Sequence, residues 1–308
     1  MTSPIPFEAI GDALRADQPL SPEAAAALSE SCDLVHLGML ADDRRRAVRG
    51  ERVTFVRVAE VSARNGGGSL SVPPRAGEVR LVDCPETFDA LLVAVRRAAD
   101  AAEGVPVTGW GLDELVTLCR GDAAAFDSAA AALRDAGLSR IAEASLDRTL
   151  DPGWLLRAAA AELPVARLTV HDPNAGGVAA IRRVAGWGRD AAVRAFAPLP
   201  RVLPGKPSTG YEDVRQVALA RLLVDNIASI QVDWRLYGPQ LAQVALTFGA
   251  DDIDGVLPVD ALELGPRRAP LEEIRRNIRA AGLEPRERDG CFELLGAEDD
   301  ECDSAGRG

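Results

Sequence analysis

Between Ile230 and Val256 the chain reads IQVDWRLYGPQLAQVALTFGADDIDGV. Its two ends, Ile230 to Trp234 and Ile253 to Val256, are short runs rich in β-branched residues, and in the first, Ile230 and Val232 alternate with Gln231 and Asp233. That is the period of a strand. The residues between them, Gly238 to Phe248, have helical spacing, so the stretch predicts one strand, one helix and the next strand in a single β/α step. Working outward, the same step recurs. Strands are expected at Val53–Val58, Val79–Val82, Val105–Thr108, Ser139–Ala142, Val165–Val170 and Ala192–Ala197. Helices are expected at Phe88–Ala102, Leu112–Cys119, Ala123–Ala136, Pro152–Ala161, Val178–Ala185 and Tyr211–Val224. This many units without a break favours a closed (β/α) barrel of the TIM type over an open doubly wound sheet. No Gly-x-Gly-x-x-Gly fingerprint follows the first strand, and Asn65 to Ser69 reads as a flexible loop.

Residues 1–50 lack strand patterning and read as a helical extension packed on the barrel. Phe7–Leu14 has helical spacing, Ser21 caps a helix with Pro22 at its first position, and Leu34–Val48 ends near Gly50. The barrel is expected over 51–292. Residues 293–308, acidic and rich in small side chains toward their end, read as a disordered tail.

Composition narrows the function classes. The 308 residues carry 47 acidic and 35 basic side chains for a net charge of −12, and Lys206 is the single lysine. No Lys/Arg cluster lies on a periodic face, which leaves nucleic acid without a binding surface. The clusters Arg44-Arg45-Arg46 and Arg267-Arg268 read as solvated faces. No apolar run approaches the roughly 20 residues of a membrane span, and no secretory signal opens the chain, so a cytoplasmic protein is expected. Five cysteines at wide spacing (Cys32, Cys84, Cys119, Cys291, Cys302) and two histidines (His36, His171) fit reduced thiols and no multi-histidine metal site.

Four segments in order resemble one family: Pro19-Leu-Ser-Pro-Glu23 with His36-Leu-Gly-Met-Leu-Ala41; Pro207 to Asp213 leading into Ala220 to Asn226; the 230–255 stretch; and Ile274 to Asp289 with Ala281-Gly-Leu-Glu-Pro285. They are similar to the radical S-adenosylmethionine enzymes of the futalosine route to menaquinone, typified by aminofutalosine synthase. The resemblance implies a radical-SAM-like barrel whose mouth, at the C-terminal strand ends, would hold a [4Fe–4S] cluster, S-adenosylmethionine and substrate. The family's Cys-x-x-x-Cys-x-x-Cys loop supplies three thiolates to three irons. Here the corresponding residues, Ala59 to Leu70, contain no cysteine. Asp83-Cys84 stands where a Gly-Gly is expected, and Glu143-Ala-Ser145 replaces a glycine run. Neither cofactor is therefore expected to be used.

Strand ends put Glu60, Asp83, Cys84, Trp110, Asp147, His171, Asp172, Arg194, Phe196, Asp233, Trp234 and Asp254 near the mouth. Asp83, Cys84, His171, Gln231, Asp233 and Trp234 are the candidate ligand-binding residues. His171 beside Asp172 could serve as a base, Cys84 as an activated thiolate, and either Ile230/Val232 or Gln231/Asp233 must face inward. Asp251, Asp252 and Asp254 resemble an acidic metal site, but the family keeps this run to connect helix to strand, and no metal is expected. The favoured reading is a degenerate paralogue that binds a pathway metabolite or a cluster-bearing relative. The alternatives are a non-radical enzyme using Cys84, Asp83 or His171, or an authentic menaquinone-pathway radical SAM transferase.

Overall fold

The structure, a computed structural model, describes residues 7–16, 18, 20–64, 70–148, 151–172, 177–185, 187, 191–201, 210–259 and 270–296. The glycine-rich 65–69, Pro207, the pair Arg267-Arg268 and the acidic 297–308 lie outside them.

Three helices open the chain, α1 (Phe7–Arg15), α2 (Pro22–Glu30) and α3 (Leu34–Arg49). Ser21 caps α2 by accepting from the Ala24 amide at 3.1 Å, and Asp33 caps α3 by accepting from the His36 amide at 3.1 Å. Strands and helices then alternate: β1 (Arg52–Ser62), β2 (Glu78–Val82), α4 (Phe88–Ala102), β3 (Val107–Gly111), α5 (Leu112–Leu118), α6 (Ala123–Asp135), β4 (Leu138–Ser145), α7 (Gly153–Ala160) and β5 (Val165–Val170). There follow α8 (Val178–Ala185), β6 (Ala195–Pro200), α9 (Tyr211–Leu223), β7 (Ser229–Asp233), α10 (Trp234–Thr247), β8 (Asp252–Val256), α11 (Pro270–Ala280) and β9 (Glu284–Glu287). Strands β1 to β8 are parallel neighbours in order, and β8 and β2 both pair with β1, which closes the barrel. The expected fold class, a radical-SAM-like (β/α) barrel behind an N-terminal helical segment, is the one observed.

Several boundaries differ from the sequence reading, each for a physical reason. β1 runs four residues past Val58, because its far half pairs with β2 from Val58↔Glu78 to Ser62↔Val82. β4 extends to Ser145, so Glu143 lies in a strand and not in a loop. β6 begins at Ala195 and ends at Pro200, which moves Arg194 and Phe196 away from the mouth. Arg194 instead stacks over the Phe292 ring at 6.0 Å, and Phe196 is buried inside the strand. Trp234 is not the last strand residue but the first of α10, which Asp233 caps by accepting from the Leu236 amide at 2.9 Å. The helix is then interrupted at Gly238, whose φ of 73° only glycine adopts without strain, before Pro239 restarts it. Strand β9 has the unpatterned sequence Glu-Pro-Arg-Glu, and it pairs with the first half of β1 from Arg52↔Glu284 to Phe55↔Glu287. Past β9, Leu294 bridges Arg288, and the Leu295 amide donates to the Glu287 carbonyl at 3.0 Å.

Aliphatic side chains from the outward strand faces and the inward helix faces form the main core, among them Val79, Leu81, Leu91, Val95, Leu133, Ile141, Leu168, Ile230 and Ile253. Asp251 ties this shell to the N-terminal helices. Its carboxylate accepts from Arg49 of α3 and the Ile230 amide, each at 2.7 Å, and from Arg221 of α9, all around a residue only 2% exposed. Arg221 also donates to the Gly249 carbonyl at 2.7 Å. Removing one member of such a buried set strands the others without compensation. Asp251→Ala is expected to cost about 3–5 kcal/mol in chemical denaturation, whereas an exposed control such as Asp127→Ala should change stability little.

Candidate functional site

Inside the barrel every second strand residue faces the axis, and many of these positions are charged. Glu78 and Arg80 of β2, Thr108 and Trp110 of β3, Glu143 of β4, Arg167 and Thr169 of β5, Gln231 and Asp233 of β7, and Asp252 and Asp254 of β8 fill the interior in layers. In the lower layer Asp252, fully buried, accepts from Thr54 at 2.5 Å, from Gln231 at 2.6 Å and from both ends of the Arg288 fork at 2.7 Å.

The middle layer turns on Asp254, which has no exposed surface. Arg80 binds it bidentately at 2.8 and 3.0 Å, and Arg167 and Arg201 approach at 3.1 and 3.6 Å. Arg80 also holds Glu78 at 2.7 and 2.9 Å, and the Thr108 hydroxyl donates to Glu78 at 2.5 Å. Burial opposes ionisation of Asp254, but the charges of Arg167 and Arg80 outweigh it and hold the carboxyl well below the usual range. Burial first, then repulsion by Arg80, pulls Arg167 below its ordinary value.

The upper layer reaches the mouth. His171 Nε2 lies 2.7 Å from Glu143 Oε1. The His171 and Asp172 amides donate to Asp147 at 2.9 and 2.8 Å, and the Ser145 hydroxyl donates to it at 2.6 Å, so Asp147 organises the ends of β4 and β5. Burial pushes the Asp147 carboxyl up, but these three bonds bring it down to about 2. Arg201 joins the layer, pairing Asp233 at 2.5 Å and approaching Glu143 at 3.6 Å. Burial would raise Glu143, yet the His171 bond and the Arg201 and Arg167 charges bring it to about 2.

Above this layer opens a cleft of about 300 Å³, floored by Arg80, Arg167, Glu143 and Arg201 and rimmed by Asp83, Trp110, Asp113, Glu114, Arg148 and His171. Three buried donors that line it, Trp110 Nε1, Arg167 Nε and Arg201 Nε, have no hydrogen-bond acceptor. Trp110 is held at φ 53° and Asp83 at φ 57°, unusual conformations for residues other than glycine.

Of the six candidate residues, Asp83 and His171 border the cleft, Gln231 and Asp233 face the barrel interior, and Trp234 sits half-buried at the start of α10. Cys84 lies beside the cleft without lining it. Burial, with Glu114 nearby, pushes its thiol up to about 12, so it is protonated near neutral pH and is no activated thiolate. The three aspartates of the 251–254 run each serve guanidinium groups, and no cluster of three or more His, Cys, Asp or Glu suited to a metal exists among the described residues. The residues present do not fit an iron–sulfur cluster either. Cys32 precedes α3, Cys84 follows β2, Cys119 ends α5 and Cys291 follows β9, so no short loop presents three thiols. Arg80, Arg167, Arg201 and Glu143 escaped the sequence reading. For Arg80, Glu143 and Arg167 the signal was there, as charged residues within largely apolar strands, whereas Arg201 lies one residue past β6.

The fold is a radical-SAM-like (β/α) barrel. A solved methylornithine synthase superposes with a TM-score of 0.64 at 15% identity, covering 90% of this chain and 97% of that one. The [FeFe]-hydrogenase maturase HydG gives 0.61 at 13%, covering 93% and 76%. Residues 201–299 match the family described as the CofH/MqnC C-terminal region. The aminodeoxyfutalosine synthase of Streptomyces coelicolor is 39% identical over 94 residues, 29% of this chain and 24% of its own length. The 5-amino-6-(D-ribitylamino)uracil–L-tyrosine 4-hydroxyphenyl transferase of Archaeoglobus fulgidus is 36% identical over 97 residues, 29% and 28%. The chain therefore matches these curated relatives over about a quarter of their length, and its resemblance is to the aminofutalosine synthase type of radical SAM protein without the three-cysteine loop. No helix among the described residues is long and apolar enough to cross a membrane.

The depressed Glu143 carboxyl links stability to pH. A carboxyl lowered on folding from 4.5 to about 2 contributes stability that is complete above pH 4.5 and is lost as pH falls toward 2. Glu143→Gln should lower stability at pH 7 by up to about 3 kcal/mol and flatten the acid limb of a urea-midpoint profile. An unchanged slope in that limb would show that Glu143 is not ionised by its neighbours.

Proposed function

We propose that this protein is a degenerate radical-SAM-fold paralogue that works without a [4Fe–4S] cluster, in or beside the futalosine route to menaquinone, and binds a small pathway metabolite at its barrel mouth. The observation that carries this reading is the replacement of the sulfur chemistry by charge. The segment after β1 holds no thiol, while three guanidinium groups and their carboxylates occupy the barrel below the cleft. A cluster needs several thiolates from neighbouring positions, and a single protonated Cys84 cannot supply them.

The cleft is suited to holding a molecule with a hydrogen-bond-accepting group directed inward. Trp110 Nε1, Arg167 Nε and Arg201 Nε are donors desolvated without acceptors, an arrangement costly to the empty protein and relieved by a bound carbonyl or carboxylate. Asp83, Asp113 and Glu114 on the rim complement a polar or cationic portion. A partner role beside a cluster-bearing relative is another form of this reading, and co-purification from the source cell tests it.

One observation favours a second reading, a non-radical enzyme. His171 at 2.7 Å from an ionised Glu143 and facing the cleft is an arrangement for moving a proton. Cys84 takes no part in it.

Anaerobic reconstitution with iron and sulfide is expected to give no broad iron–sulfur absorbance, and subsequent reduction with S-adenosylmethionine no 5′-deoxyadenosine. Appearance of both would overturn the cluster-free reading. Titration with aminodeoxyfutalosine should show binding that weakens about fivefold in Trp110→Phe, the worth of one hydrogen bond. Turnover lost in His171→Gln with binding kept would favour the enzyme.

A further inference from the structure

On the outer wall of the barrel, β9 lies beside the first half of β1, and α11 packs against β9. Here the described residues enclose a cleft of about 230 Å³. Four guanidinium groups line it, Arg57 of β1, Arg275 and Arg279 of α11 and Arg286 of β9, against two carboxylates, Glu284 and Glu287. In a chain of net charge −12 this is a local reversal of sign.

The internal pairings do not use up these donors. Arg57 has a side chain 9% exposed, and its Nε donates to Glu287 at 2.5 Å, but its Nη1 is buried with no acceptor. A structural ion pair alone would leave that N–H desolvated and unmatched. Arg286 pairs with Glu284, and Arg275 reaches Glu272 at 3.6 Å from outside the lining. Arg279 is exposed and pairs with no acid among the described residues. Arg275 and Arg279 stand four residues apart and so share one face of α11, while Arg57 and Arg286 approach from the strands. Planar forks converging from three elements are the arrangement that recognises an oxyanion with several acceptor oxygens.

We propose that this cleft is an anion site, separate from the barrel mouth, that takes a compact polyvalent oxyanion of the diphosphate class. The acceptor oxygens meet Arg57, Arg279 and Arg286, and the two glutamates set a limit on size by repelling anything that spreads toward them. The competing occupant is the chain itself. Gly296 lines the cleft, and Glu298, Asp299, Asp300, Glu301 and Asp303 follow it in sequence.

The test is calorimetric titration of the full chain with inorganic pyrophosphate at fixed ionic strength. Wild type should bind, Arg279→Glu should bind at least about tenfold more weakly, and Arg148→Glu, at the mouth, should match wild type. Arg279 is exposed, so its variant keeps the fold, which thermal unfolding checks. Three outcomes overturn the proposal: no binding by wild type, equal binding by Arg279→Glu, or loss in Arg148→Glu, which moves the anion to the mouth. A fourth separates ligand from tail. Pyrophosphate binding that appears only after Glu298, Asp299, Asp300, Glu301 and Asp303 are all made amides would assign the cleft to the acidic segment instead.

Discussion

Asp254 has no contact with solvent and carries its charge among three guanidinium groups, and the interior of the barrel is arranged around that fact. An isolated carboxylate so placed would take up a proton or unfold the chain. Arg80 prevents this with a bidentate bond, and Arg167 and Arg201 add their fields. Those cations are themselves buried and require Glu78, Glu143 and Asp233. Each new partner lies one strand or one layer further on, so the network spreads from β8 to β2, β5, β4 and β7. Replacing such a lattice with aliphatic side chains would cost little if done as a whole, but loss of any one member is expensive.

The same lattice bears on chemistry. An iron–sulfur cluster needs thiolate ligands that have lost their protons. This mouth has fixed charges and hydrogen-bond donors instead, the means by which proteins orient polar organic molecules. Cys84, its thiol pushed up by burial, and Glu143, its carboxyl held down by His171 and two arginines, mark the difference: the sulfur keeps its proton and the oxygen keeps its charge. Among the described residues the (β/α) barrel is thus held from within by ion pairs and hydrogen bonds.

Much of this was legible in the sequence. Alternation of strand and helix implied the barrel, and the period of Ile230 to Asp233 implied that either Gln231 and Asp233 or their neighbours faced inward. What stayed hidden was of two kinds. Glu78, Arg80, Glu143 and Arg167 occupy strand positions where a charge reads as solvent-facing, because linear pattern does not distinguish the outside of a half-exposed sheet from the inside of a closed one. Arg201 lay beyond an underestimated β6, since Ala-Pro-Leu-Pro offers two prolines where a strand is expected to stop. Strand β9, with its Pro285 and three charged residues, has no hydrophobic period, and only its pairing with β1 makes it a strand.

That pairing gives β1 an unusual life history. Its first half is flanked by β8 and β9, its second half by β2, and Arg288 just past β9 reaches into the barrel to Asp252. The first strand of the barrel therefore waits for neighbours that come much later in the sequence. Until β8 and β9 have formed, the edge of β1 along Arg52 to Phe55 lacks its strand partners. Closure is then a late, long-range event, and the nascent protein is most exposed to faulty association at this edge.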